Sequence, residues 1–115
     1  MVRSVPRRSD QVDLVFKALA DPTRRQVIER LVSGSASTSE LAQPFTMALP
    51  SFLQHLSVLE KAGLVTSTKV GRTRTYRLSP EGLDAAQGWL ADRRRLWESR
   101  LDQLDQFLID QKESP

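Results

Sequence analysis

Apolar residues recur along this chain at intervals of three and four, and proline, glycine and capping residues punctuate the runs. Val12, Val15, Phe16 and Leu19 make the first run and predict a helix from Asp10 to about Ala20. Asp21-Pro22 then sets a carboxylate where it can cap free N–H groups, with a proline at the first helical position. Val27, Ile28, Leu31 and Val32 form the expected buried stripe of that second helix, which Ser33-Gly34-Ser35 ends. Ser37 followed by Glu40 has capping-box spacing and opens a short third helix with Leu41 inward, stopped by Pro44. A fourth helix begins about Leu49-Pro50. At about 100° per residue, Leu49, Phe52, Leu56 and Leu59 share one side of it, and Ser51, Gln54, Val58 and Lys61 the opposite side.

After Gly63 the period changes. Leu64 to Val70 and Arg74 to Leu78 are rich in Val, Thr and Tyr and flank Gly71-Arg72-Thr73, which predicts a hairpin. Ser79-Pro80-Glu81 launches a long last helix to about Ile109, along which Leu83, Ala86, Leu90, Trp97, Leu101, Leu104 and Leu108 repeat, with a gap at Arg93-Arg94. The expected class is mainly α with a small β-hairpin: a winged helix-turn-helix. The expected organisation is a flexible basic arm at 1–9, the DNA-binding unit at 10–79, a dimerisation helix at 80–110 and a tail at 111–115.

Charge sharpens this picture through its distribution more than its total. The 115 residues, enough for one domain, carry a net charge of +3. Between Ala62 and Pro80 lie Lys69, Arg72, Arg74 and Arg77 with no acid, whereas Leu41 to Leu59 holds no charged residue. Arg3, Arg7 and Arg8 stand near the N-terminus against Asp10. There is no cysteine, which removes disulfides and thiolate metal chemistry, and one histidine, too few for a catalytic constellation. No run reaches membrane-spanning length, so the expectation is a soluble cytoplasmic protein that is not an enzyme and uses no cofactor.

Three blocks carry a resemblance. Ala18-Leu19-Ala20-Asp21-Pro22-Thr23-Arg24-Arg25, Ser39-Glu40-Leu41-Ala42 and His55-Leu56-Ser57-Val58-Leu59-Glu60-Lys61-Ala62-Gly63-Leu64-Val65 look like the ArsR-type repressors. The likeness covers roughly Val12 to Leu78. It implies a dimeric winged-helix transcription regulator in which the helix bearing Gln54-His55-Leu56 is the recognition helix and the first and last helices build the dimer. The chain departs from the family pattern at Leu53, where many members have Ser, and at Gln54, often Arg or Lys. The positions of the family's metal sites read Glu40-Leu41-Ala42-Gln43-Pro44-Phe45 and a last helix without histidine, so no metal is expected.

The site expectations follow. Ser51 and Gln54 are candidate base readers, since Gln matches the N7/N6 edge of adenine and Ser can donate or accept at several bases. Thr46 and His55 are further DNA candidates; for His55 a phosphate contact and a structural role weigh equally. Lys69, Arg72 and Arg74 are expected to hold phosphate or enter a minor groove. A cation in the first turn of a helix slightly opposes the helix dipole, so Arg24 and Arg25 point to another partner, either phosphate or an internal acid. Val15, Leu19, Leu90, Trp97, Leu101, Leu104 and Leu108 are the expected dimer interface. Trp89 and Trp97 suit that seam better than an aromatic ligand cage. The expected partners are double-stranded DNA and a second copy of the chain, with the small-molecule inducer unknown. The competing reading is a winged-helix protein–protein module that binds no DNA.

Overall fold

The structure is a computed structural model and describes residues 8–113. The arm's Arg3 and Arg7 lie outside the described residues. In chain order the elements are α1 (Arg8–Leu19), α2 (Pro22–Val32), β1 (Ala36–Ser37), α3 (Thr38–Ala42), α4 (Leu49–Lys61), β2 (Val65–Val70), β3 (Thr73–Leu78), a 3-10 turn (Pro80–Leu83) and α5 (Asp84–Glu113).

The predicted stops and starts act as the side-chain chemistry dictates. The Asp21 carboxylate accepts from the Arg24 backbone N–H at 3.1 Å and caps α2. At α3 both capping-box bonds form, with Ser37 Oγ accepting from the Glu40 N–H and Glu40 Oε1 from the Ser37 N–H, each at 3.2 Å. Gly71 turns the hairpin at φ +61°, and Arg72 after it keeps a negative φ. That is the two-residue loop with glycine first that matches strand twist, and it pairs Val70 with Thr73 and Lys69 with Arg74.

One core joins these elements. Val15, Ala18, Val27, Leu31, Leu41, Phe52, Leu56, Leu59, Leu64, Val65 and Tyr76 are all buried in it. The short strand β1 was not expected. It pairs with β3 (Ala36 opposite Tyr76, Ser37 opposite Thr75), giving the antiparallel order β1-β3-β2 and tying the wing to the helices. Two residues between glycine-serine punctuation and a capping box are too few to show a period, so pairing with β3 creates this strand.

Several expectations are corrected. Val15 is fully buried in the core of its own chain and unavailable to a partner. Leu19 is partly buried against the same core. Val32 and Leu49, read as inward, are 71% and 55% exposed because each sits at a helix end beyond the reach of the core. The last helix starts later and ends later than expected. Ser79-Pro80-Glu81 opens a 3-10 turn in which Gly82 lies against the Gly63 backbone: a Cβ at Gly82 would overlap the Gly63 carbonyl. Without a break before Pro115, α5 continues to Glu113, with Lys112 favourably placed in its last turn.

The molecule measures 78 × 41 × 23 Å, far from a sphere. α5 is the cause, since 30 residues at about 1.5 Å each span roughly 45 Å. Its first turns pack on α1, where Phe16 and Trp89 meet edge to face at 5.7 Å and the Arg93 guanidinium lies 5.0 Å above the Trp89 ring. Beyond that contact, Leu90, Leu96, Trp97, Leu101, Leu104, Phe107 and Leu108 are exposed. With Trp89 they form an apolar face roughly 140° wide at helical spacing, broader than the seam expected from the repeat. Among the described residues, no helix is long and apolar enough to cross a membrane.

Candidate nucleic-acid interface

α3, the loop after it and α4 form the helix-turn-helix, and β2–β3 form the wing. Phe52, Leu56 and Leu59 anchor α4 in the core, which turns Ser51 and Gln54 outward, in a stretch from Leu49 to Leu59 that carries no charge. Thr46 is also exposed, in the loop leading into α4. Unlike α2 and α3, α4 starts without a side-chain cap, since Ala48 offers none.

On the wing, Lys69 and Arg74 stand directly opposite each other across β2 and β3, and both are exposed. Like charges so placed repel, so the pair detracts from the stability of the free hairpin and suits a surface that meets an anion. Arg74 is also tethered: its Nη1 donates to Ser67 Oγ at 2.8 Å, and that hydroxyl donates to Glu60 Oε1 at 3.0 Å. The chain Arg74–Ser67–Glu60 fastens the wing to the last turn of α4, fixing the hairpin relative to that helix. Burial pushes the Tyr76 hydroxyl above its usual pKa, and the Glu60 charge beside it adds to that. Arg72, at the turn, is exposed. Arg77 points along the other face of the hairpin and donates to Thr68 Oγ1 at 2.9 Å. Glu60 and Ser67 had no signal in the sequence, because their pairing depends on where the wing docks.

Arg24 does not stand out toward solvent as a phosphate ligand would. Its Nε donates to the Ala18 carbonyl at 2.8 Å and its Nη2 to the Lys17 carbonyl at 3.0 Å, both at the C-terminal end of α1. Its Nη1 lies 2.9 Å from His55 Nδ1 on α4. The guanidinium of this first-turn cation therefore bonds the carbonyls at the negative end of the neighbouring helix, with the Asp21 carboxylate near enough to feel its charge. Arg25 does the same more openly, donating to the Leu19 carbonyl at 2.7 Å. Asp21 Oδ2 lies 3.7 Å from His55 Nδ1. Partial desolvation pushes the Asp21 carboxyl up, but the Arg24 N–H, the neighbouring His55 ring, the Arg24 charge and the Thr23 N–H outweigh it and hold the group below its usual value. His55 is thus held structurally at Nδ1. Among the described residues, no group of three or more His, Cys, Asp and Glu is placed to hold a metal ion.

Helices packed around a small three-stranded sheet, with a polar helix face beside a basic hairpin, define a winged helix-turn-helix protein. Residues 19–68 match a family described as a helix-turn-helix domain. The chain is 40% identical over 89 residues to the HTH-type transcriptional regulator Rv2034 of Mycobacterium tuberculosis, covering 77% of this chain and 80% of that one. It is 32% identical to the transcriptional repressor SdpR of Bacillus subtilis, across 66% of this chain and 84% of the relative. The crystal structure of an ArsR family transcriptional regulator, RHA00566, superposes with a TM-score of 0.76 at 46% identity, over 86% of this chain and 98% of that one. The chain belongs to the ArsR family of winged helix-turn-helix transcription regulators, and the relatives it matches are regulators, not enzymes.

Proposed function

We propose that the protein is a homodimeric repressor of a two-fold symmetric operator, with α4 in the major groove and the wing on the flanking DNA. The face of α4 carries this reading: Ser51 and Gln54 are exposed and uncharged, beside a wing where Lys69 opposes Arg74. Hydrogen bonding from α4 then sets specificity, and phosphate contacts from Lys69, Arg72 and Arg74 supply affinity. With Arg24 turned inward, the wing bears that electrostatic role. Covering an operator excludes other proteins from it, as expected of a repressor, and such a protein works where the DNA is, in the cytoplasm.

The apolar face of α5 supports the dimer. Leu96, Trp97 and Leu101 lie exposed along it beside Arg100, an apolar surface against which a facing helix can pack. A seam near the two-fold axis would place two α4 helices to reach successive major-groove half-sites.

A salt titration of operator binding tests the reading. Three wing cations in each of two protomers should give a log–log slope of roughly −5. DNA affinity that is absent or indifferent to salt would favour a protein–protein module that uses α5 as its docking face.

A further inference from the structure

A guanidinium has no acceptor, so the 2.9 Å contact between Arg24 Nη1 and His55 Nδ1 has one direction: Arg24 donates and Nδ1 accepts. An imidazole that accepts at Nδ1 carries its proton at Nε2. Among the described residues, Nε2 has no hydrogen-bond partner within the chain, and no buried side-chain nitrogen or oxygen lacks one, so Nε2 is open to solvent. The ring sits between the buried Phe52–Leu56–Leu59 side of α4 and the exposed face of Ser51 and Gln54, with 22% of the side chain exposed. When a helix lies in a major groove, its central face meets base edges and its margins meet the sugar–phosphate walls.

We propose that Arg24 is a positioning residue for DNA binding: by occupying Nδ1 it commits His55 to the Nε2–H form and aims that N–H at a backbone phosphate at the margin of α4. This rests on the reading that α4 enters the major groove. It also joins the two roles that the sequence left balanced, since the structural bond at one ring nitrogen makes the other a directed donor. Arg24 itself stays on the helix α1 carbonyls. Because the guanidinium is anchored there by two further bonds, the ring is held in place before DNA arrives, and little side-chain freedom is lost on binding.

The two amides that mimic the two ring nitrogens separate the roles. In His55→Asn the side-chain oxygen falls near the Nδ1 position and keeps the Arg24 bond, whereas nothing reaches the phosphate. Its thermal stability should stay near wild type while DNA affinity falls about ten- to a hundredfold, for operator and random DNA alike. The log–log salt slope should not change, because a neutral donor releases no counterion, in contrast to loss of a wing arginine. His55→Gln places an amide N–H near the Nε2 position and should recover most of the affinity while melting lower. Nitrogen chemical shifts of the His55 ring, read in the full-length free protein, should show the Nε2–H form in wild type and a mixture of tautomers in Arg24→Met. Full DNA affinity in His55→Asn, a slope reduced by about one in that variant, or an Nδ1–H ring in wild type would each overturn the inference while the DNA-binding reading stands. Wild-type protein that binds no DNA would overturn both.

Discussion

Replacing Trp97 and Leu104 together with alanine should separate the proposed dimer without touching the core of either protomer. In the single chain Trp97 is 71% exposed and Leu104 is 51% exposed. Burying a large apolar side chain completely is worth about 1.5–3 kcal/mol. The exposed fractions therefore leave about 2 kcal/mol for Trp97 and about 1 kcal/mol for Leu104 to be gained when a partner covers them. Each residue occurs twice in a symmetric dimer, so the variant forgoes about 6 kcal/mol, which at about 1.4 kcal/mol per tenfold is some four orders of magnitude in the dimer dissociation constant. Sedimentation equilibrium should show a wild-type dimer and a variant monomer at micromolar concentration. The wild-type Tm should rise with protein concentration by mass action, and the variant's should not. Operator affinity should fall too, because one recognition helix reaches only one half-site. A double variant that sediments as a dimer with wild-type affinity would refute the reasoning. The seam would then lie nearer the Phe16–Trp89 edge between α1 and α5, since Val15 is sealed in its own core.

Four further outcomes are expected. Arg72→Ala should weaken operator and random DNA equally and reduce the magnitude of the salt slope by about one in filter-binding titrations; a collapse of discrimination would mean that Arg72 reads bases or groove shape. Gln54→Ala should cost about 1–3 kcal/mol on the operator and much less on random DNA, and an unchanged specificity ratio would shift base reading to Ser51. Gly82→Ala forces a Cβ against the Gly63 carbonyl at a position with no positive φ, so steric overlap alone should destabilise the fold by about 1–3 kcal/mol in urea denaturation; a neutral result would mean that the junction of the wing and α5 gives way easily. Asp21→Asn keeps a good N-cap and removes only the charge. Since the folded chain holds the Asp21 carboxyl below its usual value, its stabilisation is complete above about pH 4 and is lost as pH falls through the folded-state value. Wild type should therefore lose more stability than Asp21→Asn between pH 7 and pH 3, and equal losses would remove Asp21 from the acid response.

The helices, their caps and the hairpin were legible in the sequence because each is set by near neighbours. Asp21 and Arg24 are three residues apart, as are Ser37 and Glu40, and Gly71 takes its positive φ within a two-residue loop. The exposed face of α4 was legible for the same reason, since period alone separates Ser51 and Gln54 from Phe52, Leu56 and Leu59. An apolar stripe does not say what covers it, however. The stripe of α1 faces the protomer's own core, and that of α5 runs past any partner in the chain.

What only the tertiary structure decided are the contacts between residues far apart in the chain. Arg24 and His55 are 31 positions apart, and Thr38 and Arg74 are 36. The β1–β3 pairing, the Gly63–Gly82 approach and the Arg74–Ser67–Glu60 tether likewise depend on how packed elements meet. The sequence by itself determined which elements form and that a basic wing follows a neutral helix, because backbone hydrogen bonding and apolar periodicity act over a few residues. Which cation faces outward and which turns in to hold a histidine was decided by the fold, since a long charged side chain takes whichever carbonyls, carboxylates or solvent the packing brings within reach.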